Sequence, residues 1–157
     1  MKREIKFRGK RIDKDVFVFG DMLTGMGYKK GKFYILPHLT YYPGDCNSLD
    51  GYEVIPETVG QFTGLLDKNG KEIWEGDVVR VGILSPNYIG SRPEPYYVDA
   101  VCIYKDGAFL YKRISPFDKK KLSRNWTYKP MHRHDIYSTE VIGNIHDNLE
   151  LLKTEAL

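Results

Sequence analysis

A chain of 157 residues fits one domain or two very small ones, and it is long enough to bury a core without disulfide or metal staples. Its 41% hydrophobic, 13% aromatic and 29% mixed-sign charged residues argue against disorder, and no apolar run approaches the roughly eighteen residues of a membrane-spanning helix. The net charge of +3 hides two basic segments on an acidic remainder: Lys2, Arg3, Lys6, Arg8, Lys10 and Arg11 face only Glu4, and Lys112, Arg113, Lys119, Lys120, Lys121, Arg124, Lys129 and Arg133 face only Asp118.

In chain order, β-branched and aromatic residues cluster in short runs separated by glycine-containing turns, the pattern of strands. Ile5 to Arg8, Val16 to Phe19 and Lys32 to Leu36 come first, with Gly25, Gly27 and Gly31 breaking the chain between the last two. Asn69-Gly70 then sits as a turn between Phe62 to Leu66 and Lys71 to Trp74, flanks short enough to fall outside regular strands. Asp77 to Val81 opens a further strand, and Ser85 to Pro95 reads as a long loop. Asp106-Gly107, between Val98 to Tyr104 and Ala108 to Ile114, supplies the positive φ angles of a tight hairpin. Ser115-Pro116-Phe117-Asp118 has the grammar of a helix start, predicting two turns through Leu122. Glu140 to Ile145 closes the series, and Asp147 before Leu149, Leu151 and Leu152 predicts a second short capped helix.

The fold class expected from this series is mainly β with few short helices. An N-terminal β-meander occupies residues 1–56, a Gly-rich connecting motif 57–76, and an SH3-like small β-barrel with a C-terminal tail 77–157. Strand, long loop, hairpin and final strand is the order that suggests the barrel. Cys46 and Cys102 form no C-x-x-C pair and no apolar leader opens the chain, so both are expected as reduced thiols in the cytoplasm, away from any membrane.

The stretch Gln61-Phe62-Thr63-Gly64-Leu65-Leu66-Asp67-Lys68-Asn69-Gly70-Lys71-Glu72-Ile73-Trp74-Glu75-Gly76-Asp77-Val78-Val79 resembles the signature of the YopX family of phage and prophage proteins. In that family a Thr-Gly-Leu, Asp-x-Asn-Gly, Glu-Gly-Asp succession leads into a barrel strand. Ile5-Lys6-Phe7-Arg8 is similar to the family's opening segment, and Glu140-Val141-Ile142-Gly143-Asn144-Ile145 to its closing one. The three matches keep the family order and span nearly the whole chain. The resemblance implies a phage or prophage setting; it brings no reaction and no catalytic set.

Read physically, the signature favours architecture. Gly64, Gly70 and Gly76 suit backbone angles denied to other residues, Asp67 and Asn69 can bond their own turns, and Asp77 can cap the loop entering Val78. The competing reading takes Asp67, Glu72, Glu75 and Asp77 as carboxylates gathered for a divalent cation, as in a metal-dependent nuclease. His132-Arg133-His134-Asp135 would place two imidazoles on one face of a strand, with His38, His146 or Cys102 to complete a site, but no second spaced pair accompanies it. The expectation is therefore no cofactor, no metal and no catalytic residue.

The basic segments remain as functional candidates. Lys6, Arg8, Lys119, Lys120, Lys121 and Arg124, interleaved with Phe7, Phe117, Trp126 and Tyr128, combine charge for phosphates with rings for bases, as a non-enzymatic binder of single-stranded nucleic acid would. If the two segments shared a face they would focus positive potential there. The alternative partner is a protein, through homo-oligomerisation or phage–host assembly, with Tyr41-Tyr42 and Tyr96-Tyr97 as aromatic anchors.

Overall fold

The structure, a computed structural model, describes residues 4–24, 31–37, 51–83, 96–116, 126–131 and 138–155. It is mainly β: the described residues form eleven strands in antiparallel sheets and two 3-10 helices. The chain divides into two compact units, Met1–Gly64 and Leu65–Leu157, so the boundary falls inside the connecting motif.

In the first unit, β1 (Phe7–Lys10), β2 (Phe17–Thr24), β3 (Phe33–Leu36) and β4 (Tyr52–Val54) pair successively as an antiparallel meander. β2 is twice the expected length because it serves two neighbours. Phe17 to Gly20 pair with β1, and Asp21 to Thr24 with β3. Gly20 marks the change of partner: its φ is 156°, and a Cβ there would lie 1.7 Å from the Leu36 carbonyl oxygen. Only a residue without a side chain lets β3 approach so closely. The meander then returns on itself, since Arg11 bridges Val54, the Ile55 N–H donates to Lys10 O at 2.8 Å and the Ile12 N–H to Glu53 O at 3.1 Å. Among the described residues, Ile35, Val54 and Phe62 are its buried apolar side chains.

β5 (Gly60–Leu66) is a regular strand whose first residues pair with β1 and whose last two open the second unit. A turn joins it to β6 (Glu72–Trp74). The Asp67 N–H donates to Lys71 O at 2.7 Å and the Gly70 N–H to Asp67 O at 3.0 Å, so the flanks of Asn69-Gly70 are regular strands after all.

The second unit carries a five-stranded sheet in the order β10-β9-β8-β7-β11, formed by β7 (Asp77–Ile83), β8 (Tyr96–Lys105), β9 (Ala108–Arg113), β10 (Tyr128–Pro130) and β11 (Thr139–Asn144). Both faces are covered. Val79, Val81, Ala100, Cys102 and Tyr111 form one buried cluster with Ile73, against which Leu65, Trp126, Met131 and Val141 pack. Val78, Val101 and Ile114 form the other, under Ile103, Ile142, Ile145, Leu151 and Leu152. Neighbouring residues of a strand point to opposite faces. Consecutive apolar pairs such as Val78-Val79 and Val101-Cys102 are therefore the mark of a sheet buried on both sides, and each fully buried valine contributes about 1.5 kcal/mol or more.

The Asp106-Gly107 hairpin joins β8 to β9 with φ values of 52° and 82°, the left-handed pair a two-residue turn needs. Among the described residues the sheet does not close into a barrel: β10 and β11 lie at opposite edges. The physical reason lies at β11, whose outer edge is bonded to the turn between β5 and β6 rather than to another strand of the sheet.

The C-terminal segment Leu149–Glu155 is 3-10 helix. The turn that launches it centres on Asn144, whose Oδ1 accepts the N–H groups of His146 at 2.8 Å and Asp147 at 2.9 Å, while the Asp147 carboxylate accepts from Asn144 Nδ2 at 2.7 Å. The helix expected through Leu122 and the loop expected from Ser85 to Pro95 lie outside the described residues. Ser115, expected as a helix cap, accepts the Asp99 N–H at its hydroxyl, 3.2 Å away.

Candidate functional site

The signature residues gather around one buried carboxylate. Asp67 is 5% exposed, and its two oxygens accept three backbone N–H groups: Asn69 at 2.8 Å and Lys71 at 2.9 Å on Oδ1, and Val141 at 3.0 Å on Oδ2. The first two close the turn. The third reaches across 74 residues to β11. Burial raises the carboxyl pKa, but the three donors and the nearby Lys71 charge outweigh it and leave the group below the ordinary aspartate range. The next residue reinforces the contact: the Lys68 N–H donates to Thr139 O at 2.9 Å, and its ammonium pairs with Glu140 at 2.6 Å, which raises the Lys68 pKa.

Asp77 is 2% exposed and accepts the Trp74 N–H at 2.8 Å, closing the Glu75-Gly76 turn. Gly64, Gly70 and Gly76 have φ values of 83°, 81° and 82°. The Gly76 N–H donates to Cys102 O at 2.8 Å, and Gly76 O accepts the Ile145 N–H at 2.9 Å, so this turn touches both β8 and the closing motif. Gly143 of that motif is crowded: a Cβ there would lie 2.6 Å from Asn148 Oδ1, so the Asn148 side chain would have to shift.

The four signature carboxylates do not converge. Asp67 and Asp77 point at backbone donors, and Glu75 Oε1 accepts the Tyr104 N–H at 3.4 Å. Among the described residues no group of three or more His, Cys, Asp or Glu side chains stands close enough to hold a metal ion. His38, Cys46 and the His132 to Asp135 segment lie outside the described residues; Cys102 is fully buried in the sheet core.

The basic and aromatic candidates separate by burial. Lys6 sits with its ammonium 4.7 Å from the centre of the Phe62 ring and 3.3 Å from Glu4, and Arg8 is 7% exposed, its guanidinium 4.9 Å from the centre of the Phe17 ring. Both are packing residues of the first unit's sheet, so Arg8 does not offer the open phosphate contact expected of it. Lys119, Lys120, Lys121 and Arg124 lie outside the described residues, in the chain between β9 and β10.

β10 itself splits the remaining candidates between the two faces of the second unit's sheet. Trp126, just before it, packs half-buried on the Tyr111 cluster with the Arg113 guanidinium 5.8 Å from its ring centre. Lys129 lies opposite Tyr111, its ammonium 6.0 Å from that ring. Tyr128 faces the other way. It is 41% exposed, pairs across the strands with the exposed Lys112, and has the Lys105 ammonium 4.4 Å from its ring centre. At the nearby hairpin Tyr104 is exposed and meets Phe109 edge-on, with ring centres 5.1 Å apart. Lys105 was missed in the sequence because it only follows the expected strand Val98 to Tyr104; the pairing of β10 with β9 brings Tyr128 to it.

The chain is similar in structure to protein EF1440 from Enterococcus faecalis, known from a crystal structure, with 21% identity and a TM-score of 0.51 over 97% of this chain and 100% of that one. This likeness concerns the fold. None of the curated proteins matches the chain. A family model described as YopX protein matches residues 6–153, which contain the opening segment from Lys6, the whole signature and the closing motif. The chain belongs to the YopX family.

Proposed function

We propose that the protein is a non-enzymatic binder of single-stranded nucleic acid, and that the second unit carries the contact on the face of β9 and β10 that presents Tyr128. The observation behind this reading is the exposed Tyr128 ring, with the Lys105 ammonium of β8 4.4 Å from its centre and the exposed Lys112 opposite it on β9. A ring among cations offers a stacking surface for a base together with charge for the adjoining phosphates. The cluster Lys119, Lys120, Lys121 and Arg124 joins the same two strands in sequence and would extend the positive charge. The burial of Arg8 and the packing of half-buried Trp126 on the Tyr111 cluster move the reading away from those residues. The strand order β11-β7-β8-β9-β10, with a long connection before β8, is what we propose to be an SH3-like unit in open form. The setting we propose is the cytoplasm of a host cell carrying a phage or prophage. No helix among the described residues is long and apolar enough to cross a membrane.

Titration of labelled single-stranded and duplex DNA and RNA at several salt concentrations tests this. Tyr128→Ala should weaken single-strand binding by about 1–3 kcal/mol, one lost base stack, with the salt slope unchanged. Lys112→Glu should flatten the logarithmic salt slope by roughly 0.7, one lost phosphate contact. No binding at low salt, or a Tyr128→Ala variant that binds like the parent, would refute the reading.

A further inference from the structure

We infer that a bound single strand runs along β9 and β10 toward the Asp106-Gly107 hairpin, and that the apolar row Ile103, Leu110 and Pro130 receives the base next to the one on Tyr128. This rests on the nucleic-acid reading above and adds a second base position to it. Strand register orders the Tyr128 face into rows across β8, β9 and β10. Val101, Lys112 and Tyr128 form the first row, Ile103, Leu110 and Pro130 the second, and Lys105 with Ala108 the third. From row to row each strand advances by two residues, so all of these side chains share one side of the sheet.

Among the described residues, burial leaves one way out of the Tyr128 row. Across the sheet Val101 is only 6% exposed, and Leu151 and Leu152 of the C-terminal 3-10 segment pack on its cluster. Along β9 away from the hairpin Ile114 belongs to the same covered cluster, and its N–H is bonded to Asp99, whose carboxylate would repel a phosphate. Toward the hairpin the face is open: Leu110 is half-buried, and Pro130, Lys105 and Ala108 are exposed. The step between rows is about 7 Å, close to the spacing of successive bases in an extended single strand. Leu110 and Pro130 offer apolar contact to the flat of a base. Lys105 starts in the third row and brings its ammonium to the Tyr128 ring of the first, so it spans the place where the joining phosphate passes. No carboxylate stands in the three rows; Asp106, at the hairpin tip, follows them and ends the favourable path.

Fluorescence anisotropy of a labelled oligothymidylate with the full chain tests the inference, at the highest salt at which the parent still binds, so that distant charges are screened. Pro130→Glu, at an exposed position, and Leu110→Ala should each weaken binding about tenfold, one lost base contact. Tyr97→Glu, also exposed on this face but beyond the covered cluster, should leave the affinity as in the parent. In the parent titrated at low salt, the amide chemical shifts of Ile103, Lys105, Ala108 and Leu110 should move while those of Arg80 and Tyr97 hold. If Tyr128→Ala weakens binding but Pro130→Glu and Leu110→Ala do not, the inference falls and the nucleic-acid reading stands. Equal losses in Pro130→Glu and Tyr97→Glu, the mark of net charge alone, overturn it as well. A parent that does not bind at low salt, or binds equally without the Tyr128 ring, overturns both. Should the variants not fold, the parent's shifts decide: movement at Arg80 and Tyr97 with none at Ala108 and Leu110 overturns the inference.

Discussion

Replacing Asp67 by alanine removes the acceptor for three backbone N–H groups at once, and the structure indicates how the loss divides. Asn69 and Lys71 are exposed, so water takes over their donors and each bond is worth about 1 kcal/mol. The Val141 N–H is part-buried and left without its charged acceptor, which costs about 1–3 kcal/mol. The expected destabilisation of the second unit is therefore about 3–5 kcal/mol. Both tryptophans of the chain, the buried Trp74 and the half-buried Trp126, lie in that unit, so urea unfolding followed by tryptophan fluorescence reports on it directly. The effect has a pH signature. Because the folded-state pKa of Asp67 is depressed, its stabilisation is fully present above the unfolded value of about 3.9 and is lost as pH falls through the folded one. The gap between the parent and Asp67→Ala should be constant near neutrality and narrow in that acid window. A loss under about 1 kcal/mol, or a gap that stays constant into the acid range, would refute the reasoning.

Gly20→Ala should destabilise the first unit by at least about 3 kcal/mol, because the added methyl meets the Leu36 carbonyl 1.7 Å away; protection of the β2 and β3 amides from exchange would report it. The Arg80–Asp99 pair, bidentate at 2.8 and 3.0 Å but with side chains 45% and 30% exposed, should show a coupling of only about 0.5 kcal/mol in a double-mutant cycle of unfolding free energies. A coupling above about 2 kcal/mol would mean that the pair is far better shielded from water than its exposure indicates.

What could be read from the sequence is what depends on neighbouring residues. Asp106-Gly107 forms its hairpin because the required angles belong to those two residues, and the runs Val78-Val79 and Val98 to Tyr104 are strands because their side chains suit an extended backbone. The signature and its two flanking motifs fixed the family by the same kind of local evidence. Other features depend on partners distant in the chain, which no local pattern specifies. Asp67 could be seen to bond its own turn, but not to reach Val141; Gly20 carried no sign that β3 would pass within contact of its α-carbon. Phe17 buries Arg8, and the turn of one residue between Lys129 and Tyr128 sends one side chain to the Tyr111 side and the other to the opposite face. Composition marks a residue as basic or aromatic, but exposure is a property of the packed sheet, so only the tertiary structure distinguished Tyr128 from Trp126 and Lys112 from Arg8.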